Sequence, residues 1–379
     1  MHYLSLEEFL KKYEKSPADT MSYNDFILKA TVVVGKHKYR LKDYIKSKHI
    51  ENISIELLLD YIKNREDYLI RFYNMSLRIT DKNEYIHGNM KHMTNKLDNN
   101  TGVIFKNLIR NVHFEHILRN TSSGLDNIPT YLYIIDNLFK KNIIDYKILT
   151  PSSIHYMKNG RLGSVFSSYY FRASILNPYL IYSLNMSQLK GSKIFTPTLG
   201  WSSYAFGFLE CPMVKEYVGT DVIPDVCSKT KDLASRYNKE VDIYCSPSED
   251  LNKNKKFMNK YREHFNVVFF SPPYYKLEIY KSKNQSTTRY NSYDEWLKKY
   301  WEATVVLCKD VLEKGGYMCY ILSGYGSDKG NNSYDLINNM NNITNKYFQF
   351  ISIQHMYNKN VHVTKHRETG EKIILYKKS

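Results

Sequence analysis

The run Asn266-Val-Val-Phe-Phe-Ser-Pro-Pro-Tyr-Tyr275 constrains this chain more than any other stretch. Val267 to Phe270 is short and wholly apolar, the pattern of a strand buried on both faces in a parallel sheet. Pro272 and Pro273 have fixed φ and no amide donor, so the hydrogen-bond ladder cannot pass them. An abruptly stopped parallel strand implies an open α/β sheet, and in such sheets the loop beyond a strand's carboxyl end is where ligands bind. Ser271 brings a hydroxyl to that loop, Pro272 and Pro273 two rigid carbonyls, and Tyr274 an aromatic face. This set can hold a planar ring with an exocyclic amine, with Ser271 and Pro272 accepting the amine hydrogens and Tyr274 stacking on the ring. A proline pair alone is ordinary turn punctuation, so its surroundings decide.

Those surroundings read as a βα alternation from about residue 150. Gly191 to Gly200 is a strand entering a glycine turn, and Trp201 to Leu209 is the helix after it. Tyr217-Val-Gly-Thr-Asp221 is a second strand, ending in a carboxylate. The step from Gly200 to Asp221 is close to the ~20 residues that separate a glycine turn from a ribose-binding acid. Val241 to Cys245 is a third strand, followed by Ser246-Pro-Ser-Glu-Asp250, and Asn266 to Phe270 is the fourth. Tyr293 to Lys314 has helical spacing, with Gly315-Gly316 expected to end it. Tyr317 to Leu322 is a fifth strand, and Phe348–Gln354 with Lys372–Tyr376 alternate like an antiparallel pair at the sheet's edge.

Residues 1–150 have another texture, mostly helical. Ile53 to Ile70 carries one apolar stripe, and Tyr131 to Ile144 reads as a buried helix. Lys36-His-Lys-Tyr-Arg40 and Lys46-Ser-Lys48 are basic clusters that read either as phosphate contacts or as a solvated face. Two domains follow: a basic helical region, 1–150, with a nucleic-acid-binding role in view, and a 151–379 α/β domain. Asn331-Asn332 and Asn338 to Asn345 read as low-complexity surface.

Of the 379 residues, 42% are hydrophobic and 24% charged, values of a globular chain. A net charge of +16 with 15% aromatics, including 35 tyrosines, fits a polyanion that also offers rings to stack on. An AT-rich genome would also enrich Lys, Asn, Tyr and Ile. Five cysteines without a CxxC pair read as free thiols, and the charged start Met1-His-Tyr-Leu-Ser-Leu-Glu-Glu does not read as a signal peptide. No apolar run approaches the ~18–20 residues of a membrane span. The expectation is a soluble intracellular protein that engages no membrane.

The order of a glycine turn, an acid after the second strand, a polar loop after the third and Ser-Pro-Pro-Tyr after the fourth resembles the S-adenosylmethionine-dependent amino methyltransferases. These methylate N6 of adenine or N4 of cytosine. The resemblance covers roughly residues 165–379. Ser271 to Tyr280, with Gln285-Ser286, Tyr290 and Trp296, is similar to viral and phage DNA methyltransferases of this group. It implies a Rossmann-like sheet with an antiparallel C-terminal hairpin, S-adenosylmethionine as cofactor, and DNA rather than RNA as substrate. A protein partner or a second copy of the chain is compatible with it. By the same resemblance, Thr196, Pro197 and Gly200 would surround the methionine part, with Phe171 and Arg172 lying against it. Asp221 would hold the ribose, Ser246, Glu249 and Asp250 would neighbour the adenine, and Ser271, Pro272, Pro273 and Tyr274 would hold the target base. Two positions depart from the pattern: Thr196 stands where the family has an acid, and Ser202 where it has a second glycine. These departures support an alternative, a methyltransferase-like chain without catalysis that binds nucleic acid or serves in assembly.

Other chemistries lack their residues. A nicotinamide-cofactor dehydrogenase needs G-x-G-x-x-G, which Thr198-Leu-Gly-Trp-Ser-Ser203 does not supply, and no P-loop is present. His113-x-x-His116 and His362-x-x-x-His366 have metal-like spacing without an acid or cysteine partner, so they read as surface histidines and no metal is expected. Glutamine-modifying protein methyltransferases carry asparagine where this chain has Ser271.

Overall fold

The computed structural model describes residues 1–87, 90–124, 128–323, 334–357 and 370–379. Asn331, Asn332, His362 and His366 lie outside the described residues. The chain forms two compact units, each assembled from separated segments: His2–Arg78 with Phe114–Ser174, and Ile79–His113 with Ile175–Ser379 and Met1. This division does not follow the expected boundary at residue 150. Composition reports local texture, whereas a unit is defined by which side chains are buried together. Phe105 packs on Tyr179 and Phe206 at 5.8 and 6.4 Å, which places residues 79–113 with the second unit. Phe166 packs on Tyr68 at 5.1 Å, which keeps Leu162–Tyr169 with the first.

The first unit is mainly helical but contains a small sheet that its sequence did not announce. Strand β1 (Thr31–Val34) pairs antiparallel with β2 (His37–Arg40) and parallel with β3 (Ile143–Asp145). The stripe expected as one helix over 53–70 is two, Asn52–Lys63 and Arg65–Ser76, broken at Asn64. Arg65 explains the break. Buried at 6% exposure, it donates to the Tyr13 and Glu14 carbonyls at 2.7 and 2.6 Å and to both Asp19 carboxylate oxygens, an arrangement that satisfies the charge. The buried helix expected over 131–144 spans Tyr131–Lys141; Asn142 ends it in the left-handed conformation, and Ile143 and Ile144 belong to β3.

The second unit holds a seven-stranded sheet. Its strands are β4 (Lys193–Thr196), β5 (Glu216–Asp221), β6 (Glu240–Cys245), β7 (Phe265–Phe270), β8 (Leu312–Leu322), β9 (Gln349–His355) and β10 (Lys372–Lys377). Their spatial order is β9-β10-β8-β7-β4-β5-β6; β10 runs antiparallel to both β9 and β8, and the pairings from β8 to β6 are parallel. Both sheet faces are covered, as the apolar run of β7 requires. Strand registers place Phe195 and Tyr244 on one face, where Phe257 of helix Lys255–Tyr261 packs at 5.8 and 5.1 Å. Tyr217 and Phe269 lie on the other, against Phe208 of helix Ser203–Leu209 at 6.4 and 5.5 Å. This is the expected α/β, Rossmann-like architecture with an antiparallel C-terminal hairpin.

Two local expectations are corrected. Gly315 and Gly316 do not end a helix: the helix stops at Val311, and the glycines form an irregularity inside β8, with Gly315 at φ +82°. The C-terminal strand decides this, because Gly315 N–H donates to Lys378 C=O and Lys378 N–H to Gly316 C=O, each at 2.9 Å. Asn338 to Asn345, expected as low-complexity surface, falls mostly within a helix, Leu336–Thr344, that buries Leu336, Met340 and Thr344. Among the described residues, no helix is long and apolar enough to cross a membrane.

Candidate functional site

The sheet order reverses beside β4: the chain runs outward through β5 and β6, then returns to place β7 and β8 on the other side. Ligands of open α/β sheets bind outside the carboxyl ends at such a switch point. The two segments flanking it are Pro197–Ser202 after β4 and Ser271–Tyr274 after β7.

The turn after β4 is built from consecutive left-handed residues, Gly200 at φ +52°, Trp201 at +57° and Ser202 at +66°. Gly200 is required for a second reason, since a Cβ there would stand 2.3 Å from the Tyr204 ring. Tyr204, 3% exposed, fixes the other segment: its hydroxyl accepts from Ser271 N–H at 3.1 Å and reaches Ser271 C=O at 3.4 Å. Burial pushes its phenol up to about 12, so it stays protonated at neutral pH.

Asp221 ends β5 with its carboxylate aimed at backbone amides. Leu199 N–H donates to Oδ2 at 3.2 Å, and Val222 and Ile223 N–H donate to Oδ1 at 2.8 and 3.1 Å. Burial raises its pKa, and these three donors oppose the rise. The same turn therefore positions both the acid, through Leu199, and the Ser-Pro-Pro-Tyr loop, through Tyr204. Pro197 and Gly200 lie in this turn, and Thr196 ends β4 just before it, with its hydroxyl fully buried and bonded to the Tyr217 hydroxyl at 2.6 Å.

Within the loop, Pro272 is buried and Ser271, Pro273 and Tyr274 are partly exposed. The Tyr274 hydroxyl accepts from Ser323 N–H at 2.7 Å, tying the ring to the end of β8. Burial and the nearby carboxylate of Glu371 raise the Tyr274 phenol, and burial raises Glu371 itself. Lys106, 7% exposed on helix Ile104–Val112, donates to Asn100 Oδ1 at 3.2 Å. Burial and Arg110 lower its ammonium to about 8 against the pull of Glu371 and Asp98.

The expected adenine neighbours divide. Ser246 is partly exposed at the end of β6, and its carbonyl accepts from Thr220 Oγ1 at 2.5 Å. Glu249 and Asp250 instead grip Arg289 from both sides, at 2.8 Å each, and Glu249 also accepts from the Tyr290 hydroxyl at 3.1 Å. This clamp joins the polar loop after β6 to the segment that follows Ser-Pro-Pro-Tyr. Trp296 Nε1–H donates to Ser286 Oγ at 3.1 Å and Gln285 Oε1 accepts from Tyr280 N–H at 2.8 Å, further bracing that segment. Tyr280 packs edge-on against Trp201 at 5.6 Å, and Ser282 Oγ donates to Val222 C=O at 3.0 Å, so residues 280–282 lie beside the glycine turn and the acid.

Ser202, the second departure, is a built-in contact. Its hydroxyl meets His113 Nε2 at 2.8 Å and Thr230 Oγ1 at 2.7 Å, with all three residues at most 1% exposed. His113 is thus buried and not at the surface as expected. Phe171 and Arg172 belong to the first unit, where Phe171 bridges Thr130 and the Arg172 guanidinium lies 5.3 Å from the Tyr131 ring centre. Sequence reasoning missed Tyr204, Arg289, Glu371 and Lys106. Only Tyr204 carried a signal, four residues beyond Gly200 on the helix leaving the turn. Among the described residues, no His/Cys/Asp/Glu group could hold a metal, and all five cysteines are free.

Among solved structures, the chain is similar to the N-methyltransferase NodS from Bradyrhizobium japonicum WM9 in complex with S-adenosyl-L-homocysteine. They share 10% identity over 52% of this chain and 83% of that chain, with a TM-score of 0.35. It is also similar to TrmN from Thermus thermophilus, at 10% identity over 53% and 49% and a TM-score of 0.36. Fibrillarin from Aeropyrum pernix, in complex with natively bound S-adenosyl-L-methionine, shares 10% identity over 49% and 66%, with a TM-score of 0.33. No family model matches the sequence, and no curated protein does.

Proposed function

We propose that this chain is an S-adenosylmethionine-dependent methyltransferase acting on the exocyclic amine of adenine (N6) or cytosine (N4) in nucleic acid, DNA rather than RNA. The observation that carries this reading is the glycine turn's double hold, on Asp221 through Leu199 and on Ser271 through Tyr204. An acid suited to a ribose diol and a loop suited to a base amine thus share one rigid reference beside the switch point. The donor set fits the cofactor: three amides fix the Asp221 carboxylate while it keeps lone pairs for hydroxyl donors. When bound, the cofactor supplies an already activated sulfonium methyl.

The protein's work is alignment. Ser271 Oγ and the Pro272 carbonyl accept hydrogens from the amine, which localises its lone pair. Tyr274 offers its ring face to the base, with the hydroxyl anchored on Ser323. The Arg289 clamp closes the adenine side.

A second reading, a methyltransferase-like subunit without catalysis, draws on Thr196, whose hydroxyl is committed to Tyr217 and brings no acid to the cofactor's amino group. One experiment separates the two. Labelled S-adenosylmethionine is incubated with mixed-sequence DNA, or RNA, and the products are digested to nucleosides. N6-methyladenine or N4-methylcytosine is the expected product. No transfer to either polymer, with no thermal shift from the cofactor, would establish the second reading. Tyr274→Ala should abolish transfer while leaving cofactor affinity within about threefold, since Tyr274 acts on the base. Undiminished transfer would refute its role.

A further inference from the structure

Strand β2 is an outer strand of the small sheet, and the helix Leu41–Lys48 follows it directly. Between residues 36 and 48, six cations (Lys36, Lys38, Arg40, Lys42, Lys46 and Lys48) share one carboxylate, Asp43. All six cations are exposed, and among the described residues none of them takes part in an ion pair. The same unit pairs its cations elsewhere: Lys12, Lys140 and Lys158 each stand within 3.2 Å of a carboxylate.

The geometry groups four of these charges in two pairs. Tyr39 lies opposite buried Val32, so it shares that face of the hairpin and rests on Tyr44 at 6.2 Å. Strand alternation then puts Lys38 and Arg40 together on the opposite, outward face, roughly 7 Å apart. Lys42 and Lys46 are one helical turn apart on the helix that continues from Arg40. One or two lysines suffice to protect an edge strand from pairing with another chain. Six unpaired cations repel one another, and the ligand that relieves this is a chain of regularly spaced negative charges.

We propose that the outward face of β2 and the helix Leu41–Lys48 bind the sugar-phosphate backbone of nucleic acid, through Lys38, Arg40, Lys42 and Lys46. This rests on the nucleic-acid reading above and assigns that substrate a holding surface outside the base site. The surface reads charge, not sequence, since phosphate contacts position a nucleic acid without specifying it. An anionic membrane is the less suited partner. The helix's exposed positions are Lys42, Asp43, Lys46, Ser47 and Lys48, which leaves no apolar stripe to insert into lipid.

The test uses the full-length chain, a fluorescent duplex and the corresponding single strands of DNA and RNA, with dissociation constants measured by anisotropy across a salt series. Each lost phosphate contact lowers the log–log salt slope by about 0.9 for duplex and about 0.7 for a single strand. The variant K38Q/R40Q/K42Q/K46Q should therefore lose roughly 3.6 units of slope on duplex and roughly 2.8 on a single strand, with an unchanged melting temperature. The control K140Q/K158Q, which removes two paired charges of the same unit, should keep the wild-type slope. A quadruple variant with wild-type slope and affinity, or a control that loses as much, overturns the surface. So does binding to phosphatidylserine vesicles without binding to either polymer. Transfer of methyl by the quadruple variant at saturating substrate, alongside unchanged binding, would show that the surface failed while the catalytic reading stands.

Discussion

Tyr204→Phe removes one oxygen and tests the link between the two halves of the site. The ring's packing on Phe269, at 5.3 Å and 87°, survives the change, so no cavity forms. What is lost is the acceptor for Ser271 N–H at 3.1 Å. A buried donor left unpaired costs about 1–3 kcal/mol, and the partial exposure of Ser271 places the cost near 1–2 kcal/mol. For a unit of this size that corresponds to a melting shift of about 2–8 °C. The larger consequence is positional, because Ser271 heads the base-holding loop. A displacement near 1 Å can cost about 10²-fold in rate, so kcat should fall roughly 10- to 100-fold while cofactor affinity, set by Asp221 and its amides, changes little. The effect should not vary between pH 6 and 9, since the Tyr204 phenol titrates only at about 12. Hydrogen exchange at the Ser271 amide supplies a readout independent of catalysis and should accelerate in the variant. Wild-type exchange and wild-type kcat together would refute the coupling.

Further expectations follow from the same geometry. Arg289→Ala strips the partner from Glu249, whose carboxyl burial already raises, and should cost about 3 kcal/mol at pH 8, moderated because Arg289 is partly exposed. A raised folded-state pKa means stability is fully present below the unfolded value of 4.5 and is lost as pH rises through the folded one. The variant's deficit should therefore shrink on acidification toward 4.5, and a denaturation series showing a pH-independent deficit would count against the clamp. At position 202, alanine and glycine both lose the contacts to His113 and Thr230, but glycine also relieves a left-handed backbone at φ +66°. Ser202→Gly should thus be more stable than Ser202→Ala by about 1 kcal/mol, and equal melting temperatures would contradict the assigned strain.

The parts of this protein readable in one dimension are those whose physics is local. Val267 to Phe270 could only be a strand covered on both faces, and two prolines had to end it. The placement of Asp221 at the end of β5, and the α/β alternation itself, followed from strand length and turn chemistry. Residues whose local preference agreed with their final place, such as Tyr131 to Lys141, were equally legible.

Tertiary structure decided whatever depends on partners distant in sequence. Gly315 and Gly316 look like a helix terminus until Lys378 arrives to make them part of a strand. Glu249 and Asp250 carry no local sign of Arg289, some 40 residues on, which pairs with both carboxylates. Ser202 looks like a defect in a glycine turn until His113 and Thr230 enclose its hydroxyl. The division of the chain is the same case, since Ile79–His113 joins the second unit through aromatic contacts that no local pattern records. Local propensity is a property of neighbours along the chain. Which carboxylate meets which guanidinium, and which hydroxyl is buried against which ring, is set only when the whole chain has packed.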